Sequence, residues 1–258
     1  MNLGPVPASK PDPALLRPRP RIVYVEMTSN CNVRCVYCPV SHAGYEGRDC
    51  DLDFEALADQ IQRRHPGEVR LSGHGETTML DDWTPTARAF LKRGLPMTIT
   101  TNMAKRFTDE EVDVLSRFRS IEVSCDTPDA HLLARLRRGV RLERIEDNLA
   151  RIRQACRDNF RSEPYLQISC TMTDLAVPGL PDLVRWAAAQ GAHAVGLVNL
   201  VRHPDPPGAI AIKHPAEVDP RGTRQKIEEA RAVAAELGID FHTEPGLGDS
   251  LEVALACR

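Results

Sequence analysis

No apolar run in this sequence approaches the length of a membrane-spanning helix. The first twenty residues, MNLGPVPASKPDPALLRPRP, lack the continuous apolar core of a signal peptide and hold too much proline for a helix. They read as an extended Pro-rich arm over residues 1–20, and without an export signal the expected compartment is the cytoplasm. Neither sign of charge dominates: 33 Lys and Arg stand against 36 Asp and Glu, a net of -3. That balance gives no whole-chain field for nucleic acid. A local basic stretch, Arg135, Arg137, Arg138, Arg141 and Arg144, reads as a solvated helix face. There is no low-complexity tract and no internal repeat beyond an alternation of short apolar runs with longer helical ones.

That alternation carries the fold. The strand candidates are 22–27, 69–72, 97–100, 121–124, 166–171 and 194–198, short and mostly aliphatic, as buried parallel strands are. Amphipathic stretches at 54–64, 83–93, 109–118, 141–157 and 180–190 lie between them. Thr108 before Asp109-Glu110-Glu111 is an N-cap signal, and Gly191 is a stop signal. Six β-then-α units predict an α/β fold, a partial (β/α)6 TIM-like barrel or a doubly wound sheet, over residues 21–200. Residues 201–258 hold a Pro-rich loop from His203 to Pro220, a last helix over 223–237 closed by Gly238, and a short run at 239–242.

Functional groups of parallel β/α folds sit in loops at the carboxyl ends of strands. Four such loops in succession are chemically unusual here. The first holds Cys31, Cys35 and Cys38, spaced C-x3-C-x2-C; the chain's other five cysteines are scattered. Thiolates so spaced can wrap three corners of an iron–sulfur cubane and leave one iron open. The competing assignment is a zinc site completed by His42 or Cys50, although structural zinc motifs commonly bring two C-x2-C pairs. The second loop holds Gly73-His74-Gly75-Glu76-Thr77, a glycine-flanked carboxylate able to pair with an ammonium. The third holds Thr101-Asn102 and the fourth Ser124-Cys125-Asp126, which suit either a ribose or carboxylate ligand or the capping of the next helix.

Together these residues resemble the radical S-adenosylmethionine (SAM) superfamily. Cys31-Asn32-Val33-Arg34-Cys35-Val36-Tyr37-Cys38 matches the C-x3-C-x-aromatic-C signature. Gly73 to Glu76 is similar to the glycine–glutamate motif, Thr101-Asn102 to the start of the Thr-Asn-Gly element, and Ser124 to Asp126 to the Ser-x-Asp segment. The stretch from Leu136-Arg137-Arg138-Gly139 to Asn148 resembles one in the subgroup with SPASM or twitch extensions. Thr77 and Met103 depart from the pattern, standing where many relatives have proline and glycine.

The resemblance implies a 4Fe-4S cluster on Cys31, Cys35 and Cys38 with SAM on the open iron. Glu76 would hold the SAM amino group, with Gly73, Gly75, Thr77, Thr101 and Asn102 around it. Tyr37 would pack near adenine, Ser124 and Asp126 near the ribose, and Arg137 would meet the SAM carboxylate. Reductive cleavage would yield a 5′-deoxyadenosyl radical that abstracts hydrogen from a small-molecule or peptide substrate, in natural-product or peptide modification. The electron would come from a donor such as flavodoxin or ferredoxin. Cys125 and Cys170 are candidate hydrogen donors to a product radical, and Thr171, Asn199 and His203 lie near other strand ends. A glycyl-radical-enzyme activase is a further alternative, against which the Cys38-Pro39-Val40 context speaks. Cys257 falls where SPASM and twitch proteins begin an auxiliary-cluster domain, so either the chain is the barrel part of a longer protein, the favoured expectation, or Cys257 is an ordinary thiol.

Overall fold

The computed structural model describes residues 22–51, 53–201 and 210–243. The expected arm over 1–20, His203 and Cys257 lie outside the described residues. Seven strands form one all-parallel sheet: β1 (Ile22–Val25), β3 (Glu68–Leu71), β4 (Met97–Thr101), β5 (Ser120–Ser124), β7 (Tyr165–Thr171), β8 (Ala194–Val198) and β9 (Asp240–Thr243). Their order in the sheet is their order along the chain, so each strand pairs with its predecessor after a crossover. This is the winding of a barrel. Among the described residues β1 and β9 stay unpaired edges, so the barrel is partial. Six of the strands are those legible in the pattern, and the short run after the last helix supplies the seventh.

Helices α1 (Phe54–Gln62), α2 (Trp83–Lys92), α3 (Asp109–Leu115), α5 (Leu142–Asp158), α6 (Leu180–Ala189) and α8 (Pro220–Leu237) pack their apolar stripes on the outer face of the sheet in one continuous core. The short helices α4 (Ala130–Leu136) and α7 (Pro215–Val218) complete the set. No helix among the described residues is long and apolar enough to cross a membrane.

The strands are not buried evenly. In β3 and β5 half-buried polar residues alternate with buried aliphatic ones. Val69, Leu71, Ile121 and Val123 meet the helices. The opposite face carries Arg70, which pairs with Glu68 at 2.8 Å and Glu122 at 2.9 Å, and Thr98, which donates to Glu68 at 2.8 Å. A closed (β/α)8 barrel fills this interior with branched aliphatic side chains. Here the inner wall is polar and only partly covered, which suits a chamber.

Helix α3 has the N-cap its sequence announces, as part of a capping box. Thr108 Oγ1 accepts from the Glu111 amide at 3.2 Å, and Glu111 Oε2 accepts from the Thr108 amide at 2.8 Å. The other oxygen of Glu111 takes the indole N–H of buried Trp83 at 2.7 Å and the Lys105 ammonium at 2.7 Å. Burial raises the Glu111 pKa, but these donors outweigh it and hold the carboxyl below the ordinary range. Its contribution is therefore complete above the unfolded carboxyl pKa and is lost as pH falls through the lower folded value. Glu111→Ala, which orphans the indole N–H and uncaps the helix, is expected to cost about 2 kcal/mol in urea unfolding at neutral pH. The difference from wild type should shrink in acid.

The basic stretch is not one solvated face. Arg135 ends α4 and Arg141 caps α5, both exposed, while Arg137 and Arg138 form the two-residue strand β6 (Arg137–Arg138) and Arg137 is buried. The reason is a long-range pairing: β6 lies antiparallel to β2 (Arg34–Cys35), inside the cysteine loop.

Candidate active site

The cysteine loop leaves β1 and crosses the carboxyl rim of the sheet. Its middle is pinned by the β2–β6 ladder, which sets Cys35 opposite Arg137, and by the Val36 amide, which donates to the Leu136 carbonyl at 2.9 Å. Arg34 Nη1 donates to the Cys31 carbonyl at 2.6 Å, and the Cys38 amide donates to the Cys35 carbonyl at 3.2 Å. Cys35 is buried, whereas Cys31 and Cys38 are half-buried. Burial pushes the Cys35 thiol up to about 12 and raises that of Cys31 as well. Such thiols stay protonated until a cation displaces the proton.

Glu76 is enclosed beside this loop. Its Oε1 accepts from Thr78 Oγ1 at 2.7 Å, Thr101 Oγ1 at 2.8 Å and the Thr78 amide at 3.2 Å; its Oε2 accepts from the Asn102 amide at 2.7 Å. Burial raises its pKa and these bonds offset only part of the rise. All four donors are neutral. A buried carboxylate fixed by neutral donors complements an ammonium group, which would bring the missing charge. The backbone N–H of Glu76 donates to the Asn30 carbonyl at 2.8 Å, so the carboxylate loop and the cysteine loop are in register.

Gly75 makes that approach possible. A Cβ there would lie 2.2 Å from the Asn30 carbonyl oxygen and 2.5 Å from that of Thr28, both backbone atoms. Gly75→Ala is expected to force the loops apart, costing about 1–3 kcal/mol by overpacking. Iron content after anaerobic reconstitution should fall well below wild type. Gly73 abuts the Glu26 side chain instead, which takes the His74 amide at 2.5 Å.

Asn102 joins the two chemistries. Its amide proton goes to Glu76, and its side-chain nitrogen reaches Cys31 Sγ at 3.7 Å and Asn32 Oδ1 at 2.9 Å. The next residue, Met103, has a φ of +50° and is fully buried. The position noted as a departure from glycine is thus a left-handed one, held by a residue that pays conformational strain there.

On the other side, Asp126 is saturated. It takes Arg137 Nη2 at 2.8 Å and Nε at 2.9 Å, Tyr37 OH at 2.6 Å and the Thr171 amide at 2.9 Å. The Arg137 guanidinium also lies 5.4 Å from the Tyr37 ring centroid. Tyr37 and Arg137 come from the cysteine loop and its partner strand, so one buried carboxylate after β5 clamps both. Ser124 sits half-buried at the end of β5, and Thr77 is buried at the start of the turn after Glu76. Pattern reading singled out each member of the clamp, but for ligand roles and not for one another.

Cys125 and Cys170 are fully buried, and burial raises both thiols, Cys125 to about 12. Their Sγ atoms point to the carbonyls of Thr127 at 3.4 Å and Asp126 at 3.5 Å. By strand alternation they share the helix-packed face of Val123 and Ile168. A hydrogen donor to a product radical must reach the concave side, which these thiols do not face.

Among the described residues, no group of three or more His, Cys, Asp or Glu side chains converges as ligands of a single metal ion. A cubane differs, since each thiolate binds its own iron and the three stay spread around the cluster. Three thiols on one loop, two of them partly open, fit that donor set.

Residues 25–173 match the family model of the radical SAM superfamily, more than half of the chain. The chain belongs to the radical SAM superfamily. Its cofactors are those of the family, a 4Fe-4S cluster and SAM. The chain is 26% identical over 190 residues to the tungsten-containing aldehyde ferredoxin oxidoreductase cofactor-modifying protein of Pyrococcus furiosus, covering 70% of this chain and 52% of the relative. It is 27% identical over 181 residues to the GTP 3',8-cyclase of Rhodococcus opacus, covering 66% and 49%. The fold is similar to Streptococcus suis SuiB bound to S-adenosylmethionine, with a TM-score of 0.68, 21% identity and coverage of 87% of this chain and 50% of SuiB. SuiB bound to its precursor peptide SuiA gives a TM-score of 0.68 at 20% identity, covering 92% and 51%. The chain spans about half the length of these relatives.

Proposed function

We propose that this chain is the catalytic barrel of a radical SAM enzyme that binds a 4Fe-4S cluster through Cys31, Cys35 and Cys38 and acts on a peptide or small-molecule substrate. When bound, the cluster supplies the electron that splits SAM into methionine and a 5′-deoxyadenosyl radical, which takes hydrogen from the substrate. One observation carries the reading. Asn102 reaches the Glu76 carboxylate with its backbone and the Cys31 thiol with its side chain, at 2.7 Å and 3.7 Å. A site for an ammonium thus lies beside a cluster ligand.

Each residue then has a task. Glu76, whose donors are all neutral, would receive the SAM amino group. Ser124, half-buried at the end of β5, shares the inner face of Glu122 and would meet the nucleoside there. Asp126 holds Tyr37 and Arg137 against the cysteine loop, and the remaining N–H groups of Arg137 are available to the SAM carboxylate. The polar wall of Arg70, Glu68 and Glu122 keeps the chamber suited to a polar substrate. A peptide is favoured by the likeness to SuiB, crystallised with its precursor peptide SuiA, and a cofactor by the likeness to the cofactor-modifying protein of Pyrococcus furiosus. A flavodoxin- or ferredoxin-like protein would deliver the electron.

The test is an anaerobic incubation of reconstituted protein with dithionite and SAM. Formation of 5′-deoxyadenosine is expected, and deuterium carried into it from a labelled candidate substrate would locate the abstracted hydrogen. Protein that binds four irons yet never forms 5′-deoxyadenosine would refute the reading.

A further inference from the structure

We infer that Asn148, on the outer helix α5, is a positioning residue for SAM, an inference that rests on the function proposed above. Its side chain is fully buried and three of its four hydrogen-bonding positions are filled. Nδ2 donates to the Met103 carbonyl at 3.2 Å and the Lys105 carbonyl at 2.8 Å, and Oδ1 accepts from the Phe107 amide at 3.1 Å. All three partners are backbone groups of the loop after β4. One asparagine from a distant helix thus replaces the secondary structure this loop lacks.

What the loop holds gives that bond set its meaning. Met103 takes a left-handed conformation without being glycine, and a methionine keeps it only where its surroundings impose it. Fixing the Met103 carbonyl fixes the peptide that follows a left-handed residue, and so the direction of Asn102 before it. Asn102 in turn presents its amide to Glu76 Oε2 and its side-chain nitrogen to Cys31. Asn148 touches neither cofactor group. It acts through Met103 and Asn102 on the carboxylate that would receive the SAM amino group.

The experiment measures SAM affinity in reconstituted, reduced protein from the change SAM causes in the cluster EPR spectrum. Four proteins are compared: wild type, Asn148→Ala, the isosteric Asn148→Asp, and Leu149→Ala. The last removes a buried side chain from the same helix without a hydrogen bond to the loop. The two Asn148 variants should hold iron as wild type does and bind SAM about tenfold or more weakly. Leu149→Ala should lose thermal stability and keep SAM affinity within about twofold. A second arm adds Met103→Gly to Asn148→Ala. Because glycine adopts the left-handed conformation freely, SAM affinity should recover in part while thermal stability does not. The inference is overturned if a folded Asn148 variant binds SAM like wild type, or if Leu149→Ala weakens binding as much. Wild-type protein whose cluster spectrum ignores SAM would instead count against the proposed function.

Discussion

Cys35→Ala is expected to leave anaerobically reconstituted protein colourless, its iron falling from about four per chain to near zero. Of the three cysteines, Cys35 is the one the fold places most firmly. It is buried, lies in the β2–β6 ladder opposite Arg137, and is flanked by the Val36 amide bond to Leu136. Its neighbours on the loop are less constrained and half-exposed. Two remaining thiolates leave a cubane one protein ligand short, and the ligand lost is the one whose ordering the ladder has already secured. The fold should survive, because replacing this small side chain by alanine leaves the ladder's backbone bonds intact. Circular dichroism should match wild type while iron and sulfide analysis does not. A variant that keeps its full cluster would mean the iron is held elsewhere.

The second large effect concerns Asp126. Asp126→Ala removes a carboxylate with no exposure and strands three donors: the Arg137 guanidinium, the Tyr37 hydroxyl and the Thr171 amide. Removing one member of a buried ion pair costs about 3–5 kcal/mol, mostly because the other charge stays buried alone. For a chain of this size that corresponds to a fall in melting temperature on the order of 10 °C. The double variant Asp126→Leu, Arg137→Met should regain much of the stability, since an apolar pair of similar volume carries no unpaired charge. It should not regain the cluster loop's geometry, because Tyr37 has lost its acceptor. Thermal unfolding of both variants, beside their iron content after reconstitution, separates the two consequences. Equal stability of wild type and Asp126→Ala would show that the clamp is solvated in solution.

These two cases mark what a linear sequence can and cannot announce. The six strands and their rim loops were legible because buried strands are short, aliphatic and regularly interrupted, and the cysteine spacing is itself local. The N-cap at Thr108 with its acidic first turn was legible for the same reason, being contained in four residues; the reciprocal bond from Glu111 came only with the structure. The β2–β6 ladder was not, since two residues per strand leave no periodicity to detect. Arg137 stands in a charged stretch and resembles a SAM-carboxylate ligand, but nothing local shows that a pairing across the fold buries it. Asp126, Tyr37 and Arg137 each carried a signal, yet their mutual bonding depends on a chain reversal that no spacing encodes. Met103 was visible only as a departure from glycine. Its left-handed backbone and the asparagine that supports it belong to tertiary structure.

On the function proposed here, Cys31, Cys35 and Cys38 would hold a cluster whose open iron takes SAM, and Glu76 would receive the SAM amino group. The most direct measurement is the EPR spectrum of the reduced, reconstituted protein before and after SAM is added. A spectrum that shifts with SAM, and no longer shifts in Glu76→Gln, is the predicted result. A colourless protein holding one zinc, or a cluster spectrum indifferent to SAM, would contradict it.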